Sequence, residues 1–117
     1  MKKVLQERRL AIRERAKARD PKEIPYFKRI ALDRDEHHAI RKEALIAIGG
    51  FDFQAIEPLT EIVCMTRDEK DTGISKSAFG LLHALNQSEH RERWDRDIQL
   101  KLNATVWACA GLIEGLA

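Results

Sequence analysis

The stretch "RDEHHAIRKEALIAIGG", residues 34–50, decides the architecture. Ile40, Ala44, Leu45, Ala47 and Ile48 recur at helical spacing, so they share one face of a helix that starts near Asp35. Gly49-Gly50 marks the stop as a C-cap. A shift of 34 residues repeats the pattern: Ile40 falls on Ile74, Ala44 on Ala78, Leu45 on Phe79 and Ile48 on Leu82. Lys42 falls on Lys76 in the same register. Another 34 lands on Ala108, Leu112, Ile113 and Leu116. Periods in the thirties belong to helical-hairpin stacks, in which a hairpin buries its apolar face only against the next one.

The flanking sequence supplies the partner helices. "DPKE" at 20–23 offers Asp20 as N-cap, Pro21 at the first helical position and Glu23 as capping-box partner. That helix runs to about Asp33, and Pro25 inside it is expected to kink it. Asp52 is placed to cap a helix with the stripe Ile56, Leu59, Ile62 and Val63, again holding a proline, Pro58. Asp71 or Thr72 caps one bearing Ile74, Ala78, Leu81, Leu82 and Leu85, which ends at Asn86-Gln87. From about Asp95, Ile98, Leu102, Val106, Cys109, Ile113 and Leu116 follow a 3.6 period. No segment alternates with period 2. The expectation is an all-α chain, a right-handed α–α superhelix of about six helices near 3–19, 21–33, 36–49, 53–66, 72–86 and 96–115. One domain covers 1–117: a basic capping helix (1–19), two repeats (20–50 and 51–87) and a degenerate third (88–117).

"AIRERA" at 11–16 echoes "AIRKEA" at 39–44. Either the first copy is a shortened version of the same helix serving as a cap, or the echo is coincidence among good helix formers.

Together these features resemble the HEAT-repeat family. A proline sits early in the first helix of each pair (Pro25, Pro58) and an Asp closes it (Asp33, Asp68). The second helix carries Ile40-Arg41 with Ala44. In the second unit Ser75 replaces the arginine, and "TRDEKDTG" lengthens the turn. The resemblance covers 20–86 well and the ends weakly. It implies a non-enzymatic scaffold or adaptor that binds another protein, and in some members nucleic acid.

Charge is unevenly spread. Residues 1–19 carry eight Lys or Arg against two Glu, within an overall net charge of +2, so the remainder is net negative. The first twenty residues lack a continuous apolar run, so no signal peptide is expected. The longest apolar stretch is too short to span a bilayer. Two cysteines without framework spacing suit the cytoplasm.

No cofactor, metal or catalytic site is expected. Adjacent His37 and His38 point about 100° apart on a helix and have no further ligand nearby. Cys109 lies in an apolar stripe, where a thiol is inert, and Cys64 is likewise read as core filling. Three surfaces remain. The second helix of each pair offers Ala39, Lys42, Glu43 and Ile46, then Lys76, His83 and Gln87, as a concave face for a protein partner with acidic character. Lys2, Arg9, Arg13 and Lys17 are candidate phosphate contacts for nucleic acid; the alternative is that N-terminal arginines pair with the acidic repeats. Leu100, Ala104, Trp107 and Gly111 form a second apolar strip on the last helix. It either packs on the segment around Trp94 or forms a self-association interface giving a weak homodimer.

Overall fold

Six α-helices joined by three short 3-10 turns make up the computed structural model, which describes residues 2–69 and 72–113, the Lys2 side chain excepted. No strand occurs among the described residues. The helices are α1 (Lys2–Lys17), α2 (Ile24–Leu32), α3 (His38–Gly49), α4 (Ile56–Thr66), α5 (Ile74–Gln87) and α6 (Arg96–Ile113).

The helix starts differ from expectation in instructive ways. Asp20 does act as a cap, its Oδ1 accepting from the Lys22 N–H at 3.0 Å, but it caps a 3-10 turn, Pro21–Glu23. Glu23 turns away from the capping box to pair with Arg15 at 2.7 Å. Because α2 then begins at Ile24, Pro25 falls in its first turn, where a missing N–H costs nothing, and no kink is needed. Pro58 is the third residue of α4, one position further in but still within the first turn. The cap of α3 is His37 rather than Asp35: its Nδ1 accepts from the Ala39 N–H at 3.0 Å. Asp52 adopts a left-handed φ of 52° at the head of the 3-10 turn Asp52–Ala55 and caps nothing. Thr72 Oγ1 accepts from the Ile74 N–H at 3.3 Å, while Asp71 lies outside the described residues.

Gly49 has a role other than the expected cap. Gly50 closes α3 with an ordinary right-handed φ of −73°, so no left-handed residue is required. A Cβ at Gly49 would instead sit 3.2 Å from Leu81 Cδ2, so the glycine lets α3 approach α5 closely.

Helices α2 and α3 form one hairpin and α4 and α5 the next; α2 packs on α4 and α3 on α5. Helix α1 extends the α3–α5 layer by packing on α3, and α6 lies against both α5 and α4. The shortest dimension, 20 Å, is about two helix diameters. The 34-residue register holds in the core: Ile40 and Ile74, Ala44 and Ala78, and Ile48 and Leu82 are all fully buried. "AIRERA" also meets the core, because Ile12 is buried 28 positions before Ile40. The third register is corrected. Leu102, Val106 and Cys109 are the buried residues of α6, whereas Ala108 is exposed and Leu112 and Ile113 half-buried; Leu116 lies outside the described residues. The α6 core stripe therefore follows that of α5 by 28 positions, as Ile74 to Leu102 and Ala78 to Val106 show. Where the sequence led us to expect the first helix of a third repeat, a five-residue 3-10 turn, Glu89–Arg93, precedes α6.

Arg41 fastens the first hairpin to the second. Only 1% exposed, it donates from Nε to the Ala31 carbonyl at 2.9 Å and from both Nη atoms to Glu69 at 2.6 and 2.9 Å. One repeat on, Ser75 stands in its place, and its Oγ donates to the Val63 carbonyl at 2.9 Å. Both residues satisfy a backbone acceptor near the end of the preceding helix.

Candidate functional site

Two clefts flank a single ridge on the α1–α3–α5 layer. The cleft between α1 and α3 has a volume of about 400 Å³ and is lined by Arg13, Ala16, Lys17, Arg19, Glu43, Ile46, Ala47 and Gly50. The cleft between α3 and α5, about 290 Å³, is lined by Lys42, Leu45, Ile46, Ser77, Gly80 and Leu81. Ile46 borders both and is 59% exposed. Helical geometry forces this position. Ala44, Leu45, Ala47 and Ile48 face the core, and a residue two positions from Ala44 and from Ile48 is turned about 200° away. Small residues take part in both linings, Ala16, Ala47 and Gly50 in one and Ser77 and Gly80 beside Leu45 and Leu81 in the other, and a Cβ added at Gly80 would meet no described atom within 4 Å.

The electrostatics of the clefts are one-sided. Glu43 is the single carboxylate lining either cleft among the described residues, and its side chain is 5% exposed. Arg9 Nε reaches it at 3.2 Å and Arg13 Nη2 at 3.0 Å, so two cations answer one buried anion. The hydrogen bond to Glu43 raises the Arg13 pKa further above its ordinary value. Lys17, Arg19 and Lys42 add positive charge at the rims.

The face expected from sequence is thus partly assembled and partly corrected. Lys42 and Ile46 line the clefts, and Ala39 is half-buried at the start of α3. Glu43 is not available to a partner, being held under α1 by its arginines. Lys76, His83 and Gln87 are exposed along α5 but line neither cleft, and His83 stacks on Phe79 with ring centroids 6.1 Å apart. Sequence reasoning missed Ala16, Arg19, Ser77, Gly80 and Leu81 as lining residues. Docking α1 on α3 in the register of the "AIRERA" echo would have pointed to Ala16.

The N-terminal cations are largely engaged within the molecule. Arg9 and Arg13 hold Glu43, Lys17 pairs with Glu14 at 2.7 Å, and Arg8 pairs with Glu36. Arg15 pairs with Glu23 and lies over the Tyr26 ring at 3.6 Å. The Lys2 side chain lies outside the described residues.

The strip on α6 is exposed at Leu100, Ala104 and Trp107 and half-buried at Gly111. Leu100 is 56% and Trp107 74% exposed, Ala104 is exposed, and a Cβ added at Gly111 would meet no described atom within 4 Å. Trp94 packs against Phe53 instead, with centroids 6.2 Å apart. Cys64 is exposed, correcting its assignment to the core, because α4 turns Ile62 and Val63 inward. Cys109 is buried, and burial pushes its thiol pKa up. Among the described residues no three His, Cys, Asp or Glu side chains are grouped to hold a metal ion. The His37 and His38 rings stack 4.5 Å apart. No helix among the described residues is long and apolar enough to cross a membrane.

No protein family, curated protein or solved structure matches the chain.

Proposed function

We propose that this chain is a non-enzymatic binding module of the cytoplasm, a HEAT-like right-handed helical-hairpin stack. It captures a segment of another protein that is acidic and carries at least one apolar side chain. The carrying observation is Ile46, an exposed aliphatic ridge between two clefts whose one lining carboxylate among the described residues is already paired with arginines. An apolar residue laid against Ile46 would be desolvated, while flanking Asp or Glu would reach Arg19, Lys17 and Lys42. Apolar burial supplies most of the affinity and the charges set orientation and encounter rate.

The resemblance to HEAT repeats supports this reading through the prolines, the closing Asp residues and the shared core register. Binding of nucleic acid through α1 is less well supported. Arg8, Arg9, Arg13 and Arg15 each meet a carboxylate of the same chain, which lowers the charge free to displace counterions from phosphate.

The test is a photo-crosslinking residue at position 46, introduced into the full chain in its own cells. Capture of a protein segment with net negative charge, lost on Lys42→Glu/Arg19→Glu, is the expected result. Crosslinking to nucleic acid, to a basic segment, or to nothing at 46 while a control at exposed Glu57 captures a partner would reject the proposal.

A further inference from the structure

The strip on α6 has an internal symmetry. Leu100 and Gly111 are equally far from the point between Thr105 and Val106, and so are Ala104 and Trp107. Two copies of α6 paired antiparallel about that point therefore set each large side chain against a small one. Leu100 meets the second copy's Gly111, and Trp107 meets the second copy's Ala104, with the same two contacts repeated by the two-fold axis.

Three further observations favour a second copy of this chain as the occupant. Residues 102–113 carry no charged side chain, so the paired faces bring no like charges together along the strip. The charges at the start of the helix balance, Asp95 and Asp97 against Arg96 and Lys101, so the antiparallel pairing brings no net charge from that end to the second copy. Gly111 is a poor helix former, and among the described residues no atom lies within 4 Å of a Cβ added there. Close approach by Leu100 from another copy gives that glycine a reason. We infer that α6 is a homodimer interface with this antiparallel register, on a different helix from the proposed partner clefts.

The association is weak by size. An 18-residue helix is about 27 Å long, and one helix pair of that length falls short of the roughly 800 Å² per partner of a standard interface. A dissociation constant in the range of about 10 μM to 1 mM is expected.

Sedimentation of the full chain from 10 μM to about 1 mM, the span set by that constant, tests it. The wild type shifts from monomer to dimer. A Cβ at position 111 meets no described atom of the monomer, so in Gly111→Leu helicity and thermal midpoint hold, while the dimer constant worsens by about tenfold or more, or 1.4 kcal/mol. The swapped pair Leu100→Ala/Gly111→Leu exchanges large for small at both contacts and restores dimerisation to within about threefold of wild type. A wild type that stays monomeric at the top concentration, or a folded Gly111→Leu protein that dimerises undiminished, overturns the interface. A swap that fails to rescue overturns the register.

Discussion

Replacing Arg41 with alanine removes the most deeply buried charge contact in the molecule. Three charge-assisted hydrogen bonds go with it, one to the Ala31 carbonyl and two to Glu69. With Arg41 1% and Glu69 7% exposed at the side chain, none of these bonds is replaced cheaply by water. Removing one member of a buried pair costs about 3–5 kcal/mol, a large part of the roughly 5–15 kcal/mol that holds a domain folded. The thermal midpoint should fall by about 10–20 °C. Arg34→Ala is the internal control. Arg34 makes two 2.9 Å bonds to Asp68 of the same corner, but its side chain is 55% exposed. Its loss should leave the midpoint nearly unchanged. Acid provides a second reading. The hydrogen bond from Arg41 is the main cause that holds the Glu69 pKa below its ordinary 4.5, against the opposing effect of burial. A depressed carboxyl contributes its full stability above about pH 4.5 and loses it as the pH falls through the lower, folded value. That acid-sensitive component should shrink in the Arg41→Ala protein. Chemical denaturation at pH 7 and across pH 2–5 measures both effects. An Arg41→Ala protein within about 1 kcal/mol of wild type, with an unchanged acid profile, would refute the reasoning.

Backbone positions give two further outcomes. Arg19 sits at φ 48°, just past the end of α1, where its N–H donates to the Ala16 carbonyl at 3.0 Å. Arg19→Gly should stabilise the fold by about 0.5–1 kcal/mol in urea melts, since glycine takes that conformation without strain; a loss of stability would show that the arginine side chain matters more than its backbone. Gly49→Val, with branches beyond a Cβ already 3.2 Å from Leu81 Cδ2, should cost about 1–3 kcal/mol by forcing α3 and α5 apart. A neutral effect would mean that Leu81 can turn aside freely.

Periodicity carried the helices because burial in this fold acts at fixed intervals. Ile40, Ala44 and Ile48 point at the same neighbours as Ile74, Ala78 and Leu82, so their pattern is legible one chain segment at a time. Helix starts were less legible because several groups compete for each orphan N–H. Asp33 accepts from the Asp35 N–H at 3.0 Å, and the task of capping α3 passes to His37, a residue type not expected there. The third unit misled for a different reason. Only a five-residue 3-10 turn stands ahead of α6, and the α6 core stripe follows that of α5 at an offset of 28, not 34.

The ion pairs show what a fuller reading of the sequence would have used. Arg9 meets Glu43 and Arg34 meets Asp68 at a separation of 34, Lys28 meets Glu61 at 33, and Arg8 meets Glu36 and Arg41 meets Glu69 at 28. These are the intervals at which the apolar core repeats. The coincidence has a geometric cause. Stacked helices bring equivalent positions near one another, as Arg34 and Asp68 show, whereas Arg15–Glu23 and Lys17–Glu14 are local pairs and Arg41 reaches Glu69 rather than its equivalent, Ser75. The contrast between the basic first 19 residues and the net-negative remainder then has a counterpart in docking, with α1 carrying the cations and Glu23, Glu36 and Glu43 the acids that hold it. What no periodic argument supplies is Ile46, which is defined by having no counterpart of its kind: one repeat later the position is Gly80. The difference between those two residues, a ridge on one helix and a hollow on the next, makes the cleft between them.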